Sequence, residues 1–487
     1  MKEKASDKYD AVIVGSGPNG LAAGIRLVQE GLSVLIVEAS DTTGGGMRTK
    51  QLMQPDVWHD VCSAIHPTAV ASPFFKRLPL QKHGLNWIYP KHPVAHPLDN
   101  ESAVIAYDEL SETAFHLGED ERFYQNLVTP LKESWPGLSG DLLAPLRFPK
   151  NPVKMLSFGL KGIQPATLFS RNFKTERAKA LFAGMAAHSI QPLSHPATTA
   201  IGLVFFATLH SGGWPMAKGG SQSIADSLSN YFKALGGDIQ TSFEVKSLEE
   251  LPPSKVVLFD LTPFQVARIA GSKLPLNYLK KLRKYRYGSG AFKIDYILSE
   301  PVPWKDYETR RAGTVHLGGT FEEIARSEKE VYDGKHADDP YVIVAQQSLF
   351  DSDRTPDNRH TLWAYCHVPN GSETDMTEAM EKQIERFAPG FRDVIEQKTT
   401  MNTAHFQQYN PNYIGGDING GSQHLGQLFS RPVHFINPYA MPAKGLYFCS
   451  SSTPPGGGVH GMCGYHAANL VLRKEFGINE SKWKFKT

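Results

Sequence analysis

The sequence predicts an α/β protein in which a parallel sheet is joined to a second, discontinuous α+β domain. Three observations support this fold class. The apolar run 10–14 is followed by a glycine cluster, a helical pattern and a second apolar run at 33–37, which is typical of a strand–helix–strand unit. A helix, a Gly-Gly pair and two strands follow at 224–261, and a strand, a glycine loop and a helix follow at 445–475. Strands that alternate with helices favour a parallel sheet.

The first unit carries a glycine pattern between its first strand and its helix, formed by Gly15, Gly17 and Gly20. In such a unit the first glycine makes a tight turn, and the second lets the backbone approach a pyrophosphate. The third lets the helix and the strand pack closely. Pro18 and Asn19 lie between these glycines, and the helical pattern follows from Leu21 to Glu30. The N-terminal N–H groups of such a helix attract phosphate. The pattern predicts a turn that binds a dinucleotide, either NAD or FAD.

A second glycine cluster distinguishes between these two cofactors. Glu38 ends the second strand, where a carboxylate accepts a hydrogen bond from a ribose 2′-hydroxyl. Glycines at 44–46 follow it, with Arg48 beside them. A longer dinucleotide needs a second stretch of backbone without side chains for its flavin end, and Arg48 would place a cation near the pyrophosphate. These residues favour FAD, and a purely NAD-dependent dehydrogenase is the alternative.

Length and composition limit the class of protein further. The chain has 487 residues, enough for two or three domains, and 41% hydrophobic and 21% charged residues are ordinary for a globular protein. The formal net charge is +2 and no basic cluster alternates with aromatic residues, so we expect no nucleic-acid partner. The four cysteines include no Cys-x-x-Cys pair, which argues against a dithiol–disulfide reductase. Without an apolar leader or a run of ~20 apolar residues, we expect a cytoplasmic protein, or a mitochondrial matrix protein if the source is eukaryotic.

Two stretches, 101–215 and 286–429, interrupt the parallel-sheet pattern and form the predicted second domain. The first is largely helical and carries apolar surface, which suits a domain packing its own core, a site for a hydrophobic substrate, or a peripheral contact with a membrane. The second contains four strand candidates and then a helix, which predicts an antiparallel sheet. The nucleotide-binding domain is then assigned to 1–100, 216–285 and 430–487. Nothing in the sequence indicates an oligomeric state.

The C-terminal glycine loop, 456–462, lies between a predicted strand and a predicted helix. N–H groups at such a helix start would lie at the pyrimidine edge of a flavin and stabilise negative charge there. His460 in this loop and His66 in the segment 60–75 are the two candidates for side chains near the ring. An imidazole satisfied within a His-Pro turn is the alternative for His66. No catalytic base is identified from the sequence.

The sequence favours neither a metal centre nor a serine hydrolase. His460, Cys463 and His466 offer only three ligands, inside a loop of flavin type. His92 and His96 cannot share a helix face because a proline follows each of them. No Gly-x-Ser-x-Gly elbow is present. We therefore predict no bound metal.

Together these motifs resemble those of the phytoene dehydrogenase-like FAD oxidoreductases, the carotenoid desaturase and isomerase group. Within that group they look most like the branch of pyridine nucleotide-disulfide oxidoreductase domain-containing protein 2. The matching segments spread over nearly the whole chain: 15–49, 60–75, 288–304, 361–371 and 450–462. The resemblance implies a discontinuous FAD-binding domain of the glutathione-reductase type, with the backbone near Val245 meeting the adenine. His460 stands where carotenoid desaturases carry a proline, which weakens the expectation of a polyene substrate and leaves FAD unaffected.

The sequence thus predicts an FAD-dependent oxidoreductase of the dehydrogenase or desaturase type, acting on an apolar, isoprenoid-like small molecule. A flavin-dependent double-bond isomerase and a flavin-stabilised binding protein without turnover are the alternatives. The residues predicted to bind FAD are Gly15, Gly17, Pro18, Asn19, Gly20, Glu38, Ala39, Gly45, Gly46, Met47, Arg48, Val245, Gly458, Val459, His460, Gly461 and Met462.

Overall fold

A computed structural model describes residues 9–100, 102–428, 430–433 and 436–479 of the chain. Two large sheets organise these residues, one with five strands and one with seven. Two short antiparallel pairs accompany them, Thr49–Lys50 with His59–Asp60 and Trp87–Ile88 with Met216–Ala217. The α/β fold class predicted from the sequence is confirmed.

The five-stranded sheet is parallel throughout. In spatial order its strands are Leu446–Phe448, Ser254–Phe259, Tyr9–Val14, Val34–Val37 and Asp238–Gln240. The central strands read as continuous apolar runs because helices and loops cover both faces of a parallel sheet. Three distant parts of the chain therefore meet in one sheet.

The first and last helices of the described chain pack against each other on this sheet. Pro18–Val28 crosses Met462–Phe476 at Gly464, where an added Cβ would lie only 1.8 Å from the carbonyl oxygen of Asn19. Only a glycine permits this approach, since real Cβ atoms do not come so close to another heavy atom. The helix Gln222–Ala234 packs on the other side of Pro18–Val28. The two ends of the chain thus form one structural unit.

The seven-stranded sheet is antiparallel except for one pair of strands. Its spatial order is Ile395–Met401, Gly290–Leu298, His360–Val368, Val342–Ala345, Ala312–Leu317, His92–His96 and Val104–Ala106. Ala312–Leu317 and His92–His96 form the parallel pair. The four strands predicted between 286 and 429 are all present, and Ile395–Met401 is an additional edge strand that the sequence did not indicate. Its exposed side chains explain the omission, because they carry no apolar alternation.

The position of His92–His96 bears on how the chain divides into domains. The sequence assigns this stretch to the nucleotide-binding domain, 1–100, yet the strand pairs within the seven-stranded sheet. The sequence does not predict this strand because it contains Pro93, and proline is rare in strands. The limits of the two domains remain a prediction.

Helices cover both faces of the seven-stranded sheet. Glu121–Leu142, Glu176–Ala187 and Thr198–Gly212 pack over one face, and Thr377–Phe387 covers the other. The remaining helices are Pro67–Ala71, Leu110–His116, Pro152–Gly162, Ala166–Phe169, Pro263–Ile269, Leu276–Arg283, Phe321–Tyr332, Thr403–Tyr409 and Leu425–Leu428. In the part of the chain that the structure describes, none of these helices has both the length and the hydropathy needed to cross a bilayer.

The helix Glu121–Leu142 contains two prolines in its interior. A proline after an apolar helical pattern usually predicts the end of a helix, but this helix continues past Pro130 and Pro136 to Leu142. Proline in a helix interior costs roughly 3 kcal/mol. Leu131, Trp135 and Leu138 are buried against the neighbouring helices, and this burial outweighs the lost hydrogen bonds.

Candidate functional site

A cavity of about 860 Å³ lies between the two sheets. Its wall includes the glycine loops at 15–17, 45–46 and 457–458, which come from both ends of the chain. The opposite wall comes from the seven-stranded sheet and its helices and includes Lys293 and Trp363. Cavities of this size at a domain interface are typical of small-molecule and cofactor sites.

The first glycine loop has little room for side chains. An added Cβ on Gly20 would lie 2.1 Å from the carbonyl oxygen of Gly15, which agrees with the close packing predicted for the third glycine of the pattern. An added Cβ on Gly17 would lie 2.6 Å from Asp260 Oδ2. Gly17 also lines the cavity. A side chain at 17 would therefore displace the carboxyl group of Asp260 and would stand at the cavity wall.

Asp260 is a residue of this loop region that sequence reasoning missed. It follows the strand Ser254–Phe259, and its Oδ2 accepts a hydrogen bond from the N–H of Gly20 at 2.9 Å. Burial raises the pKa of Asp260 to about 7, and the charge of Glu38 adds to this effect. The hydrogen bonds from the backbone of Gly20 and Gly17 oppose it. An acidic side chain that lines the cavity can thus hold a proton near neutral pH.

Glu38 joins the first glycine loop to the second. Its Oε2 accepts hydrogen bonds from the N–H and the hydroxyl of Ser16, at 2.9 and 2.6 Å. Its Oε1 accepts from the N–H of Ser40 at 2.9 Å and from Arg48 Nη2 at 3.2 Å. The predicted bond from Glu38 to a ribose hydroxyl remains a prediction. The carboxylate of Glu38 stabilises both glycine loops through these hydrogen bonds. The position of Glu38 at the end of the second strand does not predict this role.

Arg48 lies beneath the second glycine cluster. Its guanidinium donates to the carbonyl oxygens of Gly45 and Thr42, at 3.0 and 2.9 Å, and stacks over the ring of Tyr409. Its Nε is buried and has no hydrogen-bond partner among the described residues, and Arg48 lines the cavity. Buried donors are nearly always satisfied, so the unpaired Nε is consistent with a ligand that is not part of the chain.

Two tyrosines, at the end of the helix Thr403–Tyr409 and just after it, cover the second glycine cluster. Tyr409 donates its hydroxyl to the carbonyl oxygen of Gly45 at 3.0 Å. An added Cβ on Gly46 would lie 2.3 Å from the hydroxyl oxygen of Tyr413. Both tyrosines line the cavity. The two tyrosines are four residues apart in the sequence. Nothing in the sequence connects them to Gly45 and Gly46, which lie about 365 positions earlier.

The C-terminal loop reaches the cavity through Gly458, Val459 and His460. The imidazole of His460 is buried, and its Nδ1 accepts the N–H of Met462 at 3.0 Å. Burial lowers the pKa of His460 to about 4. The side chain is therefore neutral at pH 7 and bonded to the backbone of its own loop. Gly461 lies behind this surface, with an added Cβ only 2.6 Å from the ring of Phe75.

His66 does not reach the wall of the cavity, although its neighbours Ile65 and Pro67 do. Its Nε2 lies 3.3 Å from the hydroxyl of Ser63 and 3.4 Å from that of Ser221. Burial lowers its pKa to about 4. The structure thus places His66 as a buried imidazole at the start of a helix, the alternative that the His-Pro turn offered.

The predicted FAD-binding residues lie on the cavity wall with three exceptions, Gly20, Gly461 and Met462. Val245 lines it beside Phe243. The individual contacts of these residues with a cofactor remain predictions. For metals, the described residues contain no group of three or more His, Cys, Asp or Glu side chains arranged around one point.

Lys293 is the second residue that sequence reasoning missed. It lies on the strand Gly290–Leu298, is buried, and forms an ion pair with Asp295 two residues further on. Burial raises the pKa of Asp295 to about 6, and the charge of Lys293 opposes this. His59 Nδ1 lies 3.7 Å from Asp295 Oδ1. The sequence does carry a signal, since two charges at positions i and i+2 of an apolar strand share one face.

The wall that comes from the helices and the seven-stranded sheet is mostly apolar, with His188, Thr208, Thr314 and Tyr365 as polar side chains. It includes side chains from the helices Pro152–Gly162 and Thr198–Gly212 and from the seven-stranded sheet: Met155, Phe158, Ile201, Val204, Phe205, Trp214, Ile343 and Trp363. Lys293 is the charged side chain set among them, and Asp141 and Arg147 form an ion pair of 3.3 Å at the edge. Such a wall binds apolar groups and excludes water.

The residues fit an FAD molecule on three counts. The loops at 15–17 and 45–46 present backbone where side chains have no room, and Pro18–Val28 directs its N-terminus at them. The Nε of Arg48 and the Oδ1 of Asn19 are buried without a partner in the described chain. The cavity continues past these loops to the C-terminal loop. The fold and the site define an FAD-dependent oxidoreductase, as predicted.

Comparison with known proteins agrees with this class. Residues 13–78 match the NAD(P)-binding Rossmann-like domain family. The chain is 23% identical to pyridine nucleotide-disulfide oxidoreductase domain-containing protein 2 of Rattus norvegicus, over 96% of this chain and 94% of that protein. It is 22% identical to a lycopene-forming phytoene desaturase of Paracoccus, over 93% and 95%. An oxidoreductase structure from Methanosarcina mazei has the same fold, with a TM-score of 0.64, 14% identity and coverage of 95% and 100%. The resemblance drawn from the motifs is confirmed.

Proposed function

We propose that this oxidoreductase dehydrogenates an apolar small molecule, of the isoprenoid-like class. The observation that carries the proposal is the continuity of the cavity, which runs from the glycine loops to a wall of apolar side chains. The relative from Paracoccus is named a lycopene-forming phytoene desaturase, which supports a reaction of the same kind here. In such a reaction a double bond forms as the substrate gives up a hydride, for which bound FAD would be the acceptor, and a proton from the neighbouring atom, which would leave to solvent.

The chain's own residues bind and orient the reactants. The glycine loops, Glu38 and Arg48 would hold the cofactor, and FAD when bound supplies the acceptor for the hydride. Val204, Phe205 and Trp363 would fix the substrate by apolar contact, which keeps the reacting carbon in one orientation and excludes water. Lys293 places its ammonium group on the same part of the cavity wall as Trp363, so it would lie near the bound substrate.

Two alternatives from the sequence make different predictions for the same experiment. A flavin-dependent isomerase would move a double bond without any net transfer of electrons. A binding protein without turnover would release the substrate unchanged. Purified yellow protein is therefore mixed anaerobically with isoprenoids, fatty acyl compounds and amines in turn, and both the flavin spectrum and the recovered substrate are measured. Loss of the oxidised flavin band with an oxidised isoprenoid supports the proposal, and the same result with the amines alone would contradict its substrate class. A rearranged product with an unchanged spectrum indicates the isomerase, and an unchanged substrate in every case indicates the binding protein.

A pair of variants tests whether the apolar wall selects the substrate. Val204→Asn places an amide against the bound molecule, and an unpaired amide costs roughly 1–3 kcal/mol. We expect KM for the apolar substrate to rise about five- to 150-fold with unchanged flavin content. Leu276→Asn, on an exposed helix away from the cavity, is the matched control and should leave KM unchanged. An unchanged KM in Val204→Asn would show that the apolar wall does not contact the bound substrate.

A further inference from the structure

The mostly apolar wall of the cavity carries a row of side chains that crosses the seven-stranded sheet. Lys293 lies directly opposite Tyr365 on the neighbouring strand, and Tyr365 lies opposite Ile343 on the next strand. Ile343 in turn lies opposite His316. Residues that face each other in an antiparallel sheet point to the same side, so these four side chains share the face that the helices cover. The row therefore brings polar groups into an apolar part of the cavity, which Lys293, Tyr365 and Ile343 line.

His188 meets this row from the helices above the sheet. It follows the helix Glu176–Ala187 and lines the cavity, and its Nε2 lies 3.1 Å from the Nε2 of His316. Burial lowers the pKa of His188 to about 3 and the pKa of His316 well below its ordinary value. Both imidazoles are therefore neutral at pH 7, and one Nε2 donates a hydrogen that the other accepts.

The surroundings of His316 decide which imidazole donates. The Nδ1 of His316 is buried and has no partner among the described residues. It lies against the backbone of Gly184, where an added Cβ would be only 2.6 Å away. A buried N–H without an acceptor is rarer than a buried nitrogen that lacks a donor, so the hydrogen of His316 belongs on Nε2. The hydrogen of His188 then lies on Nδ1, which makes no hydrogen bond within the described chain.

Two hydroxyl groups on the same wall also have a hydrogen to donate. The hydroxyl of Tyr365 makes no hydrogen bond with any residue that the structure describes, and burial raises the pKa of this phenol, which keeps it protonated. The oxygen of Thr314 accepts the indole N–H of Trp214 at 2.9 Å, while its own hydrogen has no acceptor in the described chain. Buried donors are nearly always satisfied. Tyr365, Thr314 and His188 thus leave this wall with donors that lack an acceptor.

We propose that the apolar substrate carries a carbonyl group, whose oxygen binds at the hydrogen-bond donors of Tyr365, His188 and Thr314. A carbonyl oxygen accepts two hydrogen bonds and donates none, which matches a wall with donors to spare. A carboxylate fits less well, because Lys293 is already paired with Asp295 and a further negative charge would be buried without a partner. The inference rests on the proposed function for the apolar nature of the substrate.

A carbonyl group at this position also suits the proposed dehydrogenation. The β carbon gives up the hydride, for which FAD is the acceptor, the α carbon gives up a proton to solvent, and a double bond forms between the two carbons. Negative charge develops on the carbonyl oxygen as the α proton leaves. O–H and N–H groups directed at that oxygen stabilise the charge, so the same donors would bind the substrate and assist the loss of its proton.

Infrared difference spectroscopy of a bound ketone tests the inference without any turnover. Geranylacetone, an isoprenoid ketone, is added to the flavin-containing protein, and its C=O stretching band is compared with the bands in hexane and in water. We expect the band of the bound ketone at or below its frequency in water, because hydrogen bonds to the oxygen weaken the C=O bond. A band at the hexane frequency, or no binding, would overturn the proposal.

Tyr365→Phe removes one of the donors and keeps the ring. The affinity for geranylacetone, measured by the fluorescence of the tryptophans that line the cavity, should fall about two- to tenfold. The affinity for the hydrocarbon in which a CH2 group replaces the carbonyl should not change. Tyr332→Phe, at an exposed tyrosine away from the cavity, is the matched control and should change neither affinity. An equal loss for both ligands would show that Tyr365 only shapes the cavity, which contradicts the proposal.

A double variant tests the pair of imidazoles. His188→Leu/His316→Leu replaces both rings, so neither is left buried without its partner. The affinity for geranylacetone should again fall about two- to tenfold, with the C=O band closer to its hexane frequency and the affinity for the hydrocarbon unchanged. A double variant that binds the ketone as the wild type does, with the same C=O band, would show that His188 does not contact the carbonyl oxygen.

These binding measurements and the turnover experiment fail separately. A protein that binds geranylacetone with the expected C=O band, but whose flavin no apolar compound reduces, has the proposed carbonyl site and contradicts the proposed function. A protein that dehydrogenates isoprenoid hydrocarbons, but holds the ketone with the C=O band of hexane, contradicts the carbonyl site alone.

Discussion

Asp260→Asn should remove a pH-dependent loss of stability from the cofactor-free protein. Asp260 Oδ2 accepts the N–H of Gly20 at 2.9 Å, and burial raises the pKa of this carboxyl from 3.8 to about 7. Between these two values the folded protein holds a proton that the unfolded chain has released. Its contribution to stability is therefore complete below pH 3.8 and is lost as the pH rises through about 7. An asparagine has no such dependence, and its oxygen can still accept from Gly20.

The size of the effect follows from the shift. One pKa unit corresponds to about 1.4 kcal/mol, so a shift of about three units corresponds to roughly 4 kcal/mol in full. For a single group with these two pKa values, the contribution to the free energy of unfolding falls by about 2.6 kcal/mol between about pH 5 and about pH 8. Asp260 lines the cavity and is only partly buried, and cavity water screens its charge. We therefore expect about 1–2.6 kcal/mol in this interval.

Urea unfolding of the apoprotein measures this quantity. The free energy of unfolding is determined at about pH 5 and about pH 8 for the wild type and for Asp260→Asn, and the two changes with pH are subtracted. Buried histidines affect both proteins equally and cancel. Asp41→Asn, at an exposed aspartate near the same loops, is the control and should change with pH as the wild type does. Parallel pH profiles for the wild type and Asp260→Asn would refute the reasoning.

Three further predictions concern the network around the cavity. Glu38→Ala should weaken FAD binding about ten- to a hundredfold in a titration of the apoprotein, since each hydrogen bond to a charged group contributes roughly 1.5–3 kcal/mol. Glu249→Ala, at an exposed carboxylate, should bind FAD normally. Lys293→Met should lower the free energy of unfolding by about 3–5 kcal/mol because it leaves Asp295 buried beside a neutral His59, whose pKa burial lowers to about 3, and adding Asp295→Leu should recover most of that loss. His66→Asn should remove a loss of stability that the wild type shows as the pH falls from 6.5 towards about 4, since the pKa of His66 is lowered in the folded state; equal acid sensitivity in both proteins would contradict this.

The glycine loops could be predicted from the sequence because their requirements are local. Gly15, Gly17 and Gly20 lie within six residues, and the strand before them and the helix after them are also contiguous. The close approach at Gly20 involves Gly15, only five residues earlier. A pattern of this length is fully visible in the sequence. The strands of the parallel sheet could also be predicted, because a strand that is buried on both faces has an uninterrupted apolar sequence.

The residues that were missed depend on contacts between distant parts of the chain. Asp260 meets Gly17 from a strand about 240 residues later. Tyr409 meets Gly45 across 364 residues. No local pattern connects such pairs. Asp260 meets Gly17 only when the strands Tyr9–Val14 and Ser254–Phe259 pair in one sheet, and Tyr409 meets Gly45 only when segments far apart in the sequence fold together. Lys293 differs, since its pairing with Asp295 follows from two charges at positions i and i+2 of an apolar strand, which the sequence shows.

The hydrogen bonds of Glu38 suggest why the two glycine loops have to be considered together. One oxygen of this carboxylate binds Ser16 in the first loop, and the other binds Arg48 beneath the second. Arg48 in turn donates to Gly45, which Tyr409 of the other domain also contacts. A cofactor placed against both loops therefore meets backbone that the chain already holds in position, so little ordering is left to be done on binding. It also follows that a change at Tyr409, far from the first loop in sequence and in the other domain, should alter FAD affinity through Gly45 and Arg48.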